Sequence, residues 1–166
     1  FKTKFSLNER LDALEKVDNN WLAITSSGQK FLTPNIFIAA GVGSFEPRKI
    51  PIDGIEKFES NGLAYSIPDK SYYKDKNIVI FGGGDSALDW TVELSKIANQ
   101  ITLVHRRDEF KAVEHTVKKM RNLAKSGKVN LYTKYQIKNI EGNEKVEKVI
   151  IKDNEGNLKP VLCDEV

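Results

Sequence analysis

Residues 77–111 hold the pattern that most constrains the fold, because it joins an apolar strand, a glycine-rich turn, a helix and a second apolar strand. The first apolar run, Ile-Val-Ile-Phe, leads directly into Gly-Gly-Gly-Asp-Ser-Ala at residues 82–87. A short β-branched run of this kind predicts a parallel strand buried on both faces. Gly82, Gly84 and Ala87 fit the GxGxxA spacing of a strand-turn-helix nucleotide-binding unit. The pattern therefore predicts a Rossmann-like α/β fold.

Each small residue of this turn has a predicted part in holding a pyrophosphate. Gly82 allows the tight turn, Gly84 lets the backbone approach the anion, and Ala87 lets the helix pack closely on the strand. The N–H groups and the positive dipole end at the helix N-terminus favour the anion. The Ser86 hydroxyl is a candidate donor. The predicted pyrophosphate-binding residues are Gly82, Gly83, Gly84, Asp85, Ser86 and Ala87.

The end of the second strand indicates which dinucleotide binds. About 20 residues beyond the glycines, NAD-binding domains carry an acidic residue, whereas an arginine accommodates a 2′-phosphate. Here the strand ends at His105, Arg106 and Arg107, and we predict Asp108 and Glu109 as first-turn acids of the next helix. Charge-assisted hydrogen bonds contribute about 1.5–3 kcal/mol each, so two arginines favour NADP(H) over NAD(H) by more than roughly 100-fold.

Two alternatives stay open at this strand end. The arginines are also compatible with a solvated basic patch in a lysine-rich protein. For His105, contact with the nucleotide and a partly buried strand-end histidine are equally compatible with the sequence.

The first part of the chain predicts strands and then a connector. Residues 21–25 and 30–33 predict a hairpin around Gly28, and the apolar residues 35–40 predict a further strand buried on both faces. Residues 46–76 contain three prolines and show little periodicity. They predict a connector between two domains.

The last part of the chain predicts one more helix and then strands. Apolar residues between Phe110 and Ala124 fall on one helical stripe, and Gly127 is a candidate C-cap. Residues 130–132 predict a third strand of the parallel sheet. Alternating apolar and polar residues within 137–162 predict a small antiparallel meander.

Charge, hydropathy and cysteine content exclude several classes of protein. The net charge of +3, from 26 basic and 23 acidic residues, predicts neither nucleic-acid nor membrane binding. No apolar run approaches the roughly 20 residues of a membrane span. Cys163 is the single cysteine, which predicts no intrachain disulfide and a cytoplasmic location. With only His105 and His115 as histidines, we predict no metal site.

Two motifs together suggest a family. Gly-Gly-Gly-Asp-Ser-Ala followed by His-Arg-Arg-x-x-x-Lys resembles the NADPH-binding domain of the low-molecular-weight thioredoxin reductase superfamily, whose second motif ends in Arg. Lys111 stands at that position, where it keeps the charge but loses the bidentate geometry. Thioredoxin reductases carry CxxC shortly before the glycine strand, whereas residues 65–76 contain no cysteine. Residues 39–49, AAGVGSFEPRK, and residues 84–90, GDSALDW, resemble the thioredoxin-reductase-like class of ferredoxin (or flavodoxin) NADP reductases.

The resemblance implies a two-domain flavoprotein whose NADP-binding domain is inserted between two parts of an FAD-binding domain. It assigns residues 1–60 to the end of the first FAD segment, residues 61–75 to an inter-domain connector, and residues 76–166 to the NADP-binding domain. Phe45 and Pro47 align with flavin-side positions. The chain would then be a fragment that binds NADP(H) alone.

For the full-length protein the resemblance implies an enzyme that passes electrons from NADPH through FAD to ferredoxin or flavodoxin. It also implies a homodimer. We expect no catalytic base or nucleophile, because hydride transfer between cofactors does not demand one. Two alternatives are a disulfide reductase without its own CxxC and a non-catalytic NADP-binding module.

Overall fold

The computed structural model describes residues 3–40 and 49–166. The chain divides into two compact units, a first unit of residues 1–46 and a second unit of residues 47–166. Across the described ranges, no helix has the length and apolar content needed to cross a membrane.

The first unit is a three-stranded antiparallel sheet. Its strands are β1 (Leu11–Val17), β2 (Asn20–Thr25) and β3 (Lys30–Thr33), paired in the order β1-β2-β3. The hairpin predicted from the sequence is confirmed, and Gly28 lies in its turn with φ 81°. Strand β1 was not predicted, because its apolar residues do not alternate regularly and its side chains are mostly exposed.

The strand predicted at residues 35–40 is wrong. These residues form no regular structure, and Phe37 and Ile38 are 94% and 79% exposed. A strand that is buried on both faces needs neighbouring strands and a layer over each face. Within the described part of the chain, no strand pairs with these residues.

The second unit contains the predicted parallel sheet. Strands β4 (Asn77–Phe81), β5 (Gln100–His105) and β6 (Val129–Thr133) pair in the order β4-β5-β6. Helix α1 (Asp85–Leu94) connects β4 to β5, and helix α2 (Glu114–Lys125) connects β5 to β6. This arrangement confirms the Rossmann-like topology predicted from residues 77–111.

The last residues of the chain extend this sheet beyond β4. Glu165 lies parallel to Ile78, and its carbonyl accepts a hydrogen bond from the Val79 N–H at 2.9 Å. The buried Glu165 carboxylate pairs with the Lys76 ammonium at 2.7 Å. This pairing compensates the cost of removing the carboxylate from water.

Both faces of the parallel sheet are buried, which explains why its strands are almost continuously apolar. On one face, Ile78, Ile101 and Leu103 pack with Leu88 of α1 and Met120 of α2. Burial of each such side chain contributes about 1.5–3 kcal/mol. The two helices are thereby fixed against the strands whose ends carry the predicted site.

The opposite face is covered by the predicted antiparallel meander. Its strands are β7 (Tyr135–Glu141), β8 (Lys148–Asp153) and β9 (Leu158–Leu162), in the order β7-β8-β9. Val79 and Val104 of the parallel sheet pack into the core beneath it. The meander predicted from alternating residues is confirmed.

The stretch predicted as a connector contributes to the same core. Ile55, Phe58 and Leu63 are buried with residues of the sheet and the meander. Two short 3₁₀ turns, Ile55–Phe58 and Lys70–Tyr73, interrupt the stretch. Residues 49–76 are therefore packed into the second unit.

Helix α2 begins later than the apolar stripe predicts. Phe110 and Val113 precede the helix, which begins at Glu114. Gly127 ends the helix as predicted, although the C-cap residue itself is Ser126 and Gly127 follows it with a left-handed φ of 78°. Phe110 stacks on His105 instead, with ring centroids 5.0 Å apart, so its apolar surface is covered without helical structure.

Candidate dinucleotide-binding site

The carboxyl ends of β4 and β5 open into a cleft with a volume of about 480 Å³. This volume lies within the range of small-molecule sites, and the carboxyl ends of parallel strands are where α/β sheets bind ligands. Most of the residues predicted to hold NADP line this cleft. Among the described residues, the exceptions are Asp85, Ser86 and Ala87. The lining residues are Phe81, Gly82, Gly83, Gly84, Val104, His105, Arg106, Arg107, Lys111, Tyr135, Gln136 and Ile137.

Gly82 and Ala87 are small because strand and helix nearly touch at this point. Gly82 has φ 154°, which disfavours other residues, and a Cβ built on it would lie 2.6 Å from the Ala87 Cβ. Such a separation is far below van der Waals contact. This geometry agrees with the predicted role of Ala87 in close helix–strand packing.

Gly83 is required by the last residue of β5 and by the loop that follows it. A Cβ on Gly83 would overlap the His105 ring, and the Gly83 carbonyl accepts a hydrogen bond from the Lys111 N–H at 2.7 Å. The His105 Nε2 lies 3.0 Å from the Glu109 carbonyl oxygen, so this nitrogen carries a proton and donates. His105 is thus held by the protein on its ring edge and on the face that stacks on Phe110. These contacts favour the interpretation of His105 as a partly buried histidine at the end of a strand over a direct contact with the nucleotide.

Gly84 differs from the other two glycines because nothing in the protein requires it. Its φ of −99° suits any residue, and a Cβ built there would meet no atom within 4 Å. Gly84 is the N-cap of α1, and within the described residues no side chain caps this helix. The first N–H groups of α1 therefore lack a side-chain acceptor beside an open space, which is the geometry of an anion site.

Asp85 lies at the turn as predicted, but its carboxylate contacts the protein. Its Oδ1 accepts a hydrogen bond from the backbone N–H of Val113 at 2.8 Å. Ser86 is exposed on the first turn of α1. One turn later, the Thr116 hydroxyl donates to Asp89 Oδ1 at 3.3 Å. Asp85 and Asp89 of α1 therefore hold the start of α2.

Arg106 and Arg107 are exposed at the end of β5, on the rim of the cleft. Across residues 3–40 and 49–166, neither guanidinium forms an ion pair. Lys111 is also exposed, and its backbone pairs with Gly84 in an isolated parallel bridge. Three cationic side chains consequently face solvent beside the turn.

Asp108 is not a first-turn acid of α2, as the sequence predicted, because the helix begins six residues later at Glu114. Glu109 is displaced from the helix in the same way. The Asp108 Oδ2 instead forms an ion pair of 2.7 Å with the Nζ of Lys134, which lies between β6 and β7. This ammonium holds the pKa of Asp108 below its ordinary value, and Asp108 raises the pKa of Lys134.

Sequence reasoning missed one wall of the cleft, formed by Tyr135, Gln136 and Ile137 at the start of β7. A signal was available, because β7 follows the parallel strand β6 after a single residue, Lys134. The beginning of β7 must therefore lie near the carboxyl ends of the parallel strands. Phe45 and Pro47, the predicted flavin-side residues, lie outside the described residues.

Comparison with known sequences supports one family. The sequence pattern of the family described as pyridine nucleotide-disulphide oxidoreductase matches residues 1–163. A ferredoxin–NADP reductase of Pelagibacter ubique is 49% identical over 166 residues, which are 100% of this chain and 49% of that protein. A ferredoxin–NADP reductase of Rickettsia prowazekii is 44% identical over 160 residues, covering 96% of this chain and 48% of that protein. The chain spans about half the length of the curated relatives it matches.

Solved structures share the fold. A thioredoxin reductase from Lactococcus lactis superposes with a TM-score of 0.74 at 26% identity, covering 95% of this chain and 50% of that chain. A thioredoxin reductase from T. acidophilum gives a TM-score of 0.76 at 19% identity, with the same two coverages. The predicted α/β fold and the predicted resemblance are confirmed.

Proposed function

The chain belongs to the pyridine nucleotide-disulphide oxidoreductase family, and from that premise we propose that its second unit binds NADP(H) in the cleft at the carboxyl ends of β4 and β5. The observation that carries the proposal is the pair Arg106 and Arg107, exposed where an NAD site carries an acidic residue. The nearest acid along the chain, Asp108, is paired with Lys134.

The residues present fit this cofactor at both ends. Gly84 leaves open space beside the helix N-terminus, which suits a pyrophosphate. Arg106, Arg107 and Lys111 supply cationic groups for a 2′-phosphate, and the arginines add planar donors that match a phosphate. Bound NADPH would supply a hydride, and the protein would supply position and charge.

His105 and Asp85 have supporting parts in this proposal. The His105 ring fills the space over Gly83, and the Asp85 carboxylate holds the N–H of Val113. Ser86 and Ala87 complete the first turn of α1. In this arrangement the backbone of the turn and the three cationic side chains contact the cofactor.

Calorimetric titration of the 166-residue chain with NADP⁺ and NAD⁺ tests the proposal. We expect NADP⁺ to bind more than roughly 100-fold more tightly, because two charge-assisted arginine contacts are lost with NAD⁺. Equal affinities for the two dinucleotides, or no binding of either, would refute an NADP site.

For the whole protein we propose a ferredoxin–NADP reductase, the name its relatives carry. Residues 1–60 would be the end of the first segment of an FAD domain, residues 61–75 a connector, and residues 76–166 the NADP domain, with residues 49–75 packed against the NADP domain. Phe45 and Pro47 would lie beside the flavin. Electrons would pass from NADPH through FAD to ferredoxin or flavodoxin, in a homodimer in the cytoplasm.

The preparation that tests this second proposal is the full-length protein. It should carry FAD and reduce ferredoxin with NADPH as the donor, and its mass in solution should be that of a dimer. The 166-residue chain should bind NADP⁺ without flavin absorbance. Flavin retained by the short chain would contradict its assignment as a fragment that binds NADP(H) alone.

A disulfide reductase is the second candidate, because the solved structures with this fold include thioredoxin reductases. Cys163 is the single cysteine of the chain and is buried, so these 166 residues hold no dithiol. The full-length protein should therefore reduce ferredoxin faster than a small disulfide such as 5,5′-dithiobis(2-nitrobenzoate). The opposite ranking would favour the disulfide reductase.

A further inference from the structure

Lys134 occupies a conformation that its side chain does not favour. Its φ is 61°, in the left-handed region where glycine and asparagine are the usual residues. The Nζ lies 2.7 Å from Asp108 Oδ2, although the two side chains are 58% and 55% exposed. An ion pair this exposed contributes little to stability, so its place beside the arginines calls for another explanation.

The position of Asp108 supplies that explanation. Asp108 directly follows Arg107, so its carboxylate is on the same short loop as the two arginines. An unpaired carboxylate there would repel a phosphate and would offer Arg106 and Arg107 an internal partner. The contact with Lys134 places a positive charge against the carboxylate and anchors it to the corner between β6 and β7.

Glu109 provides a contrast within the same loop. It is exposed, and in the part of the chain that the structure describes it forms no ion pair. Its backbone carbonyl, rather than its carboxylate, contacts the protein through His105 Nε2. Of the two neighbouring acids, Asp108 is therefore the one that the fold neutralises.

We propose that Lys134 is a specificity-determining residue that keeps Asp108 from competing with the 2′-phosphate for Arg106 and Arg107. The inference rests on the NADP(H)-binding function proposed above and adds a residue to it. Lys134 acts through Asp108, so it is a positioning residue. Removal of the Lys134 ammonium should weaken binding of the 2′-phosphate and should not change binding of the rest of the nucleotide.

The test uses two ligands that differ in one phosphate, adenosine 2′,5′-bisphosphate and 5′-AMP, titrated into the 166-residue chain by NMR. Lys134→Asn removes the ammonium while tolerating the left-handed backbone. It should weaken binding of the bisphosphate roughly three- to ten-fold, as expected for one uncompensated charge near a phosphate in water. Binding of 5′-AMP should not change, and the midpoint of thermal unfolding should not fall, because asparagine suits this backbone and the exposed ion pair contributes little to stability.

Second-site variants separate this mechanism from simpler ones. Asp108→Asn should restore bisphosphate binding in the Lys134→Asn background and change it little in the wild type. Glu109→Gln should have the same effect in both backgrounds, because it is not coupled to Lys134. Lys148→Gln is the matched control: it breaks a similar ion pair with Glu141 at the far end of β7, about 20 Å away.

The outcomes distinguish the two proposals. If the wild-type chain does not prefer the bisphosphate to 5′-AMP, the NADP-binding function itself is wrong. If the wild type does prefer it but Lys134→Asn binds it normally, or if Asp108→Asn does not restore binding, the role of Lys134 is wrong. An equal loss of binding in Lys148→Gln would likewise overturn it, as a general effect of net charge.

Discussion

The carboxylate of Asp85, in the first turn of α1, accepts a hydrogen bond of 2.8 Å from the backbone N–H of Val113, which immediately precedes α2. A second bond of 2.7 Å joins the Lys111 N–H to the Gly83 carbonyl. The glycine turn and the loop that carries the arginines are therefore tied together at two points. Each segment positions the other in the cleft.

Replacing Asp85 by alanine should loosen this connection. One hydrogen bond is lost and the Val113 N–H is left without its acceptor, so the free energy of unfolding should fall by about 1 kcal/mol. NADP⁺ affinity should fall several-fold, since the arginine loop would no longer be held. Urea unfolding and calorimetry measure the two effects. Asp85→Asn keeps an oxygen acceptor, so it should lose less stability and less NADP⁺ affinity than Asp85→Ala. Equal losses in the two variants would indicate that the charge of Asp85, and not its bond to Val113, is responsible.

Single substitutions of Arg106 or Arg107 by alanine should act on NADP⁺ alone. Each loss should weaken NADP⁺ binding by roughly 10- to 100-fold, the equivalent of about 1.5–3 kcal/mol for a charge-assisted bond. NAD⁺ lacks the phosphate, so its affinity should be unchanged in calorimetric titrations. Arg121→Ala removes an exposed arginine from α2 and serves as the control. A similar loss with Arg121→Ala would indicate a nonspecific effect of charge.

The sequence predicted the strand-turn-helix-strand unit because its signals are local. A short apolar run, small residues at fixed spacing and a second apolar run act within residues 77–111. The positions of Gly28 in the hairpin turn and of Gly127 at the end of α2 were predictable for the same reason, since both need a left-handed φ. A local conformational requirement restricts the residue type at one position, so it can be predicted from a single sequence.

The features that the sequence did not predict depend on contacts between distant residues. The apolar stripe includes Phe110, yet Phe110 covers its surface on His105 and the helix begins at Glu114. The pairing of Asp108 with Lys134 joins residues that are far apart in sequence. Periodicity reports that a side chain is apolar, but not which neighbour covers it.

Cys163 gives a prediction for alkaline pH. Burial raises the pKa of its thiol from the ordinary value of 9.0 to about 12, so the folded protein retains a proton that the unfolded chain releases. The contribution of the buried thiol to the free energy of unfolding is therefore complete below pH 9 and is lost between pH 9 and 12. The decline should be about 1.4 kcal/mol per pH unit from this group. Urea unfolding from pH 8 to 10.5 measures it.

Cys163→Ser is the control for this measurement, because other groups also titrate at alkaline pH. The difference in unfolding free energy between wild type and Cys163→Ser should change with pH at the slope given above. A difference that does not vary with pH would contradict the effect of burial on the thiol. The wild-type thiol should also resist alkylation at pH 8 until urea unfolds the chain.

Gly83 and Gly84 are adjacent, yet substitution by alanine should lower stability at Gly83 and not at Gly84. At Gly84 the new methyl group meets no protein atom and the backbone is unstrained, so stability should change by less than about 0.5 kcal/mol. NADP⁺ affinity should fall at least roughly ten-fold, because the methyl group occupies the space beside the N-terminus of α1. At Gly83 the methyl group overlaps the His105 ring, so stability should fall by about 1–3 kcal/mol along with affinity. Thermal unfolding with calorimetry on both variants decides the matter: a Gly84→Ala chain that is stable and binds NADP⁺ normally would show that the pyrophosphate lies elsewhere.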